Sequence, residues 1–213
     1  MFAKEGFKFI IPLLIWVILV VIITLIFPVI QLIYLSVLSS LLFLFVLWFF
    51  RDPERTPHPD INKIVSPADG RIVAFDEIHN KYVGNAKVLS IFMSVFDVHV
   101  NRMPADGEIV DEFYTEGKFM SAYNPAASFE NERRTLYIDS GGDRRYVVTQ
   151  IAGMVARRIV PYLVKGDKGK KGDKLGMICF GSKVDIIMPE SIVLEVKLNQ
   201  KLKAGKTVLG TFK

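Results

Sequence analysis

Three observations predict an α+β chain in which an N-terminal hairpin of two membrane-spanning helices precedes a mainly antiparallel β domain. No charged side chain occurs from Phe9 to Phe50. From Arg51 onward charge returns, and short β-prone runs alternate with Gly, Pro, Asn and Asp turn signals. A length of 213 residues suits one membrane segment plus one domain of ordinary size.

The apolar run is about twice as long as one span requires. Pro28, with Gln31 close behind it, falls near its middle and interrupts a helix there by removing a donor and crowding the preceding turn. The expected helices are therefore about 9–27 and 29–50, in a membrane anchor over 1–50. A cleavable signal peptide has a shorter apolar region and a small-residue cleavage site, neither of which fits this run. Lys4 and Lys8 precede the first helix, and Arg51 and Arg55 follow the second. Positive charge at both outer ends predicts a cell-membrane protein with both ends, and the catalytic or binding domain, on the cytoplasmic side.

The net charge is +5. Residues 1–50 carry Lys4, Lys8 and Glu5, or +1, which leaves +4 for the remainder. A mildly basic domain tethered to a membrane suits anionic head groups. No basic repeat with interleaved aromatics is present, which argues against nucleic acid as a partner. The single cysteine, Cys179, excludes a disulfide within the chain and a cysteine-ligated metal site, and its apolar surroundings predict a core residue.

Residues 52–60, DPERTPHPD, hold three prolines and predict an extended linker over 51–62. The domain over 63–213 shows little helical periodicity. Strands are expected at Lys63–Val65, Arg71–Phe75, Lys87–Phe92, Gly107–Phe113, Thr135–Asp139, Arg145–Ile151, Leu175–Cys179, Val184–Met188, Ile192–Val196 and Thr207–Gly210, with one or two short helices. SPADGRIV, from Ser66, and KKGDKLGMICF, from Lys170, each place a glycine turn ahead of a strand. Together they read as paired halves of one hairpin-rich unit, and the second resembles the turn-rich halves of biotinyl and lipoyl carrier domains, a barrel-sandwich element.

The chemistry centres on Met177 to Pro189, MICFGSKVDIIMP. Glycine permits backbone angles that a Cβ would block, so a Gly181–Ser182 peptide between two strands can be held strained. The Ser182 hydroxyl could then attack the Gly181 carbonyl, given a base for its proton and donors for the oxyanion. An ordinary hairpin bend explains the same pair of residues. His58 lies between prolines and His79 in a loop-like HNKYVGN, so His99 is the one histidine on a strand or short helix of the domain. Three scattered histidines, and acidic residues without ligand spacing, do not predict a metal site. Asp69, His99 and Ser182 are the residue types that orient a base and activate a hydroxyl, although spacing alone does not bring them together.

In combination, the motifs SPADG, FDVHVNRMPADG and FGSKVDIIMP, with DPER, QIAGMVARRIV and KGDKGKKGDKLG, resemble the phosphatidylserine decarboxylase family in its short membrane-anchored form, over about Arg51 to the end. The resemblance implies a proenzyme that cuts itself between Gly181 and Ser182. Residue 182 becomes a pyruvoyl cofactor, and no metal takes part. The amine of the phospholipid substrate, phosphatidylserine, would condense with the pyruvoyl ketone as a Schiff base, lose carbon dioxide and leave as phosphatidylethanolamine. A large chain, 1–181, and a small chain, 182–213, stay associated, with a homo-oligomer allowed. Asp69 and Ser182 match self-processing positions. His99 matches the first histidine of an H-x-x-H-x-P stretch, and Arg102 stands where longer forms have the second, usually the processing base. His99 is thus the expected base and a proton donor in decarboxylation, with Asp97 able to orient it. Arg102, Arg157 and Arg158 are candidates for the lipid phosphate or carboxylate.

Three rival readings remain at this level. An archaeal ether lipid with a serine head group, archaetidylserine, offers the same amine and carboxylate. A membrane-anchored biotinyl-like binding module would present Lys183 at a hairpin tip. A membrane-tethered serine hydrolase would use Ser182 with His99 or a lysine, and would stay in one piece.

Overall fold

The computed structural model describes residues 1–154, 158–179 and 181–212. The chain forms two compact units, Met1–Glu54 and Arg55–Lys213.

In the first unit a 3-10 turn, Lys4–Gly6, leads into helix α1 (Phe7–Ile26), and helix α2 (Ile30–Phe49) follows. The break falls at Pro28, as the sequence predicts. Both helices are long and apolar enough to cross a membrane, and together they fit a membrane anchor. Val and Ile dominate α1 and would favour a strand in water. In hydrocarbon a helix satisfies every backbone group within the segment. The few polar side chains bond one another: Trp16 Nε1 donates to Ser39 Oγ at 3.1 Å, and the Thr24 and Ser36 hydroxyls lie 2.7 Å apart. The two outer ends are stitched together by Ala3 N to Phe50 O and Asp52 N to Met1 O, both 2.8 Å. Both ends of the hairpin therefore emerge on one side.

The second unit contains strands β1 (Lys63–Val65), β2 (Gly70–Asn80), β3 (Gly84–Met93), β4 (Val100–Arg102) and β5 (Gly107–Thr115). A one-turn helix α3 (Ala127–Glu130) precedes β6 (Arg133–Asp139), β7 (Arg145–Ile151), β8 (Ile159–Pro161), β9 (Lys168–Gly169) and β10 (Lys174–Ile178). The chain ends with β11 (Ser182–Pro189), β12 (Val193–Leu194), β13 (Lys201–Leu202) and β14 (Val208–Thr211). An eight-stranded sheet has the order β13-β2-β3-β11-β7-β6-β5-β9, and two three-stranded sheets have the orders β1-β14-β12 and β4-β10-β8. The pairings within these sheets are antiparallel. The architecture is α+β, as expected.

One core joins the three sheets. Ile72, Leu89, Ile91, Leu136, Val148, Val184 and Ile186 of the large sheet pack with Ile64 and Leu209 of one small sheet and Ile159, Leu175 and Ile178 of the other. Alternation along β11 places Ser182, Val184, Ile186 and Met188 on the core face, because successive side chains of a strand point to opposite faces.

Several expectations need correction. The two glycine-led strands, β2 and β10, lie in different sheets and do not pair as halves of one hairpin unit. The β2–β3 ribbon runs on to Asn80↔Gly84, further than expected. Its polar outer end looks like loop in sequence, but the side chain of Asn80 caps the Tyr82 and Val83 amides and Gly84 takes φ +86°. His79, expected in a loop, is therefore on β2, with Nδ1 3.1 Å from Asn85 Oδ1. Strands β8, β9 and β13 are too short to show any alternation and exist through their partners. Cys179 is half-buried rather than in the core.

Candidate active site at the Gly181–Ser182 junction

The junction lies where β10 of a small sheet hands over to β11 at the centre of the large one. Gly181 has φ +54°, in the left-handed region that favours glycine. Ser182 opens β11 opposite Met93, the last residue of β3, and is fully buried. Its hydroxyl donates to Met93 Sδ at 3.4 Å. A thioether is a weak acceptor, so this bond holds the hydroxyl only lightly.

Met93 begins a buried polar chain. Asn101 Nδ2 donates to the same sulfur at 3.5 Å, and Gln150 Nε2 donates to Asn101 Oδ1 at 2.8 Å. Arg134 Nη1 donates to Gln150 Oε1 at 3.2 Å, Nε to Glu112 Oε1 at 2.7 Å, and Nη2 to the Leu163 carbonyl. The hydrogen bond from Arg134 holds the Glu112 carboxyl below the usual carboxylate range. Asn101 stands on β4 and Gln150 on β7, so this chain ties two sheets together beneath Ser182. Nothing in the sequence pattern singles out Met93, Asn101, Gln150 or Arg134, since polar residues on the core face of a strand look like ordinary pattern breaks.

His99 immediately precedes β4 and is fully buried. Its carbonyl accepts from Ile178 N at 3.3 Å, which seats it beside the end of β10, a few residues before the junction. Its Nδ1 lies 2.9 Å from the Asp97 carbonyl. A carbonyl only accepts, so Nδ1 carries the hydrogen and Nε2 is the basic nitrogen of the neutral ring. Asp97 thus meets His99 through its main chain. Its carboxylate is occupied by Ser94, accepting from N at 2.9 Å and Oγ at 2.7 Å.

Asp69 precedes β2, which is separated from β11 by β3 alone. Its carboxylate pairs with Arg55 Nη2 at 2.9 Å and accepts from Ala204 N at 2.7 Å. Arg102 is buried, and its Nη1 donates to the Gly172 carbonyl at 2.9 Å. Arg158 is exposed, and its carbonyl accepts from Cys179 N at 3.3 Å. Arg157 lies outside the described residues. His99 therefore sits beside the end of β10, Ser182 heads β11 against Met93, and Asp69 lies in an ion pair two strands away.

On the opposite face of β11, Lys183 and Asp185 line a cleft of about 990 Å³ walled by Val88, Val147 and Phe129. Lys183 is 3% exposed. Burial pushes its ammonium below the usual lysine range, and Asp185 partly opposes that shift. Asp185 accepts from Ser90 Oγ at 2.6 Å and Ser128 Oγ at 2.7 Å. Among the described residues, no group of three or more His, Cys, Asp or Glu is arranged to hold a metal ion.

An apolar helical pair that fits a membrane anchor and a mainly antiparallel β unit define an α+β protein in which Ser182 is a buried serine at the head of a central strand. The sequence model of the family described as phosphatidylserine decarboxylase matches residues 42–210. The phosphatidylserine decarboxylase proenzyme of Geobacter metallireducens is 40% identical over 209 residues, covering 98% of this chain and 95% of that protein. The proenzyme of the same name from Citrifermentans bemidjiense is 44% identical over 176 residues, covering 82% and 80%, and that of Syntrophus aciditrophicus is 38% identical over 212 residues, covering 99% and 97%. The chain belongs to the phosphatidylserine decarboxylase family.

Proposed function

We propose that this protein is a phosphatidylserine decarboxylase proenzyme that cuts itself between Gly181 and Ser182 and converts phosphatidylserine to phosphatidylethanolamine. The observation that carries the reading is the Gly181–Ser182 junction, with Gly181 at φ +54° and a fully buried serine at the head of β11, in a chain of this family.

Attack of Ser182 Oγ on the Gly181 carbonyl breaks the C–N bond, and the proton from the hydroxyl passes to the released nitrogen. An ester then joins residues 181 and 182. Removal of the Ser182 Cα proton expels the Gly181 carboxylate from Cβ. Water hydrolyses the remaining dehydroalanine, ammonia leaves, and a pyruvoyl group is formed. His99 Nε2 is the proposed base, supported by the tautomer that the Asp97 carbonyl imposes. Asp69 is assigned the support of the Ser66–Gly70 turn through Arg55. A pyruvoyl group supplies a ketone that accepts the electrons released with carbon dioxide. Ser182 is its only required source, and the residues around it fit that role.

Residues 182–213 supply β11, which lies between β3 and β7. Hydrogen bonding on both edges supports continued association of the small chain after cleavage. Arg158, being exposed, is the described arginine best suited to the lipid phosphate. Lys4, Lys8 and Arg51 at the two outer helix ends support a cytoplasmic location for the second unit. A barrel-sandwich character around β10 belongs to the same proposal, supported by the antiparallel β4-β10-β8 sheet and the glycine turns at Gly166 and Gly172.

Intact mass tests the reading. Wild type should yield a long piece ending at Gly181 and a short piece blocked to N-terminal sequencing, while Ser182→Ala stays full length and inactive. A wild-type protein that remains one active polypeptide would overturn it.

A further inference from the structure

We infer that Gly153 is a positioning residue for self-cleavage, because its missing side chain forms the seat for the scissile carbonyl. The inference rests on the self-processing reading and assigns a part of it to the QIAG segment at the end of β7.

A Cβ built on Gly153 would fall on the Gly181 carbonyl oxygen, well inside contact distance, with the Ala122 methyl 3.2 Å away on another side. Gly153 is not among the glycines with positive φ, so its backbone angle would tolerate any residue. What requires glycine here is space, and the atom occupying that space belongs to the peptide bond that breaks. The Gly153 Cα–H points at the same oxygen. Such a contact is weak beside an N–H donor, so the role is to place the carbonyl rather than to stabilise an oxyanion.

The seat itself is rigid. Ala152 N donates to the Glu132 carbonyl at 2.9 Å. Asn131, fully buried, donates to the Ala152 and Met120 carbonyls, both at 2.8 Å, and accepts from Met120 N at 3.0 Å. One amide side chain therefore clamps the peptide before Gly153 to the segment carrying Ala122. By contrast, among the described residues a Cβ built on Gly181 meets nothing within 4 Å. Bulk added at 153 must therefore push the Gly181 carbonyl, a backbone group, away from the clamped Ala152–Gly153 side. The carbonyl leaves the line of attack, and a displacement of about 1 Å is enough to cost about 100-fold in rate.

The test compares full-length wild type, Gly153→Ala, Ser182→Ala and the double variant in detergent. Gly153→Ala should be cut about 100-fold more slowly than wild type. Hydroxylamine, which cleaves an ester and spares an amide, should hasten cutting of wild type and release nothing from Gly153→Ala, placing the defect before ester formation. The double variant should still melt cooperatively, at or somewhat below the temperature of Ser182→Ala. Cleavage of Gly153→Ala at the wild-type rate, accumulation of a hydroxylamine-sensitive ester in it, or loss of cooperative melting in the double variant would each overturn the inference. Failure of wild type itself to be cut would instead strike the self-processing reading on which it rests.

Discussion

Replacing Arg55 by alanine removes the guanidinium that faces a buried carboxylate. Arg55 Nη2 lies 2.9 Å from Asp69 Oδ2, with only 7% and 11% of the two side chains exposed. After the change, the described hydrogen bond from Ala204 N remains to hold the charge. Breaking a buried ion pair by removing one partner costs about 3–5 kcal/mol, because the other charge stays desolvated. The residual exposure of both groups favours the lower end, about 3 kcal/mol. For a unit of this size that corresponds to a fall in Tm of about 6–12 °C. Thermal melting of Arg55→Ala should be compared with its parent, both carrying Ser182→Ala so that neither is cut. Joint replacement, Arg55→Met with Asp69→Leu, should recover much of the loss, since it leaves no unpaired charge. A shift below about 2 °C, or a double variant as unstable as the sum of the singles, would refute the reasoning. In chains that retain Ser182, Arg55→Ala and Asp69→Asn should slow cleavage to a similar degree. If Asp69→Asn abolishes cleavage while Arg55→Ala melts low yet cuts normally, the carboxylate acts in the chemistry itself.

Three further outcomes are expected. His99→Ala should leave most of the chain uncut, whereas Asp97→Asn, which keeps the carbonyl holding His99, should cut at nearly the wild-type rate and melt lower by about 1–2 kcal/mol through loss of the Ser94 bonds. Normal cutting of His99→Ala by intact mass would move the base elsewhere. Lys183→Met, measured on a Ser182→Ala background, should raise Tm near neutral pH. The folded-state value of Lys183 is depressed, so the cost of its buried charge is full below that value and is relieved as pH rises toward the ordinary lysine value of about 10.4. The advantage of methionine must therefore shrink with rising pH. Glu112 has the opposite sign: its depressed value adds stability above the ordinary glutamate value of about 4.3, lost as pH falls through the folded value. Glu112→Gln should be less stable at neutral pH and flatter in acid, as read by pH-dependent melting.

Much of this architecture was legible in residue order because its signals are local. An uncharged run broken at Pro28 specifies two apolar helices wherever the rest of the chain goes. Runs of β-branched and aromatic residues marked Arg145–Ile151 and the middle of β11. The same signals fail for Ile159–Pro161, Lys168–Gly169 and Lys201–Leu202, which are held extended by the strand beside them. The β2–β3 ribbon was misjudged at its outer end because solvent-facing polar residues look alike in a strand and in a loop.

The site divides in the same way. Residue order alone determined that Gly181 and Ser182 stand between two apolar β runs, that His99 is the histidine available to the domain, and that the chain resembles a self-processing family. Only tertiary structure decided that Asp69 faces Arg55, that Asp97 meets His99 through its carbonyl, and that Gly153 abuts the Gly181 carbonyl from the end of another strand. Composition and spacing report what one segment prefers. Which carboxylate is paired, and which glycine is needed for space, depends on atoms that distant segments bring within a few ångströms, and that information exists only once the sheets have closed.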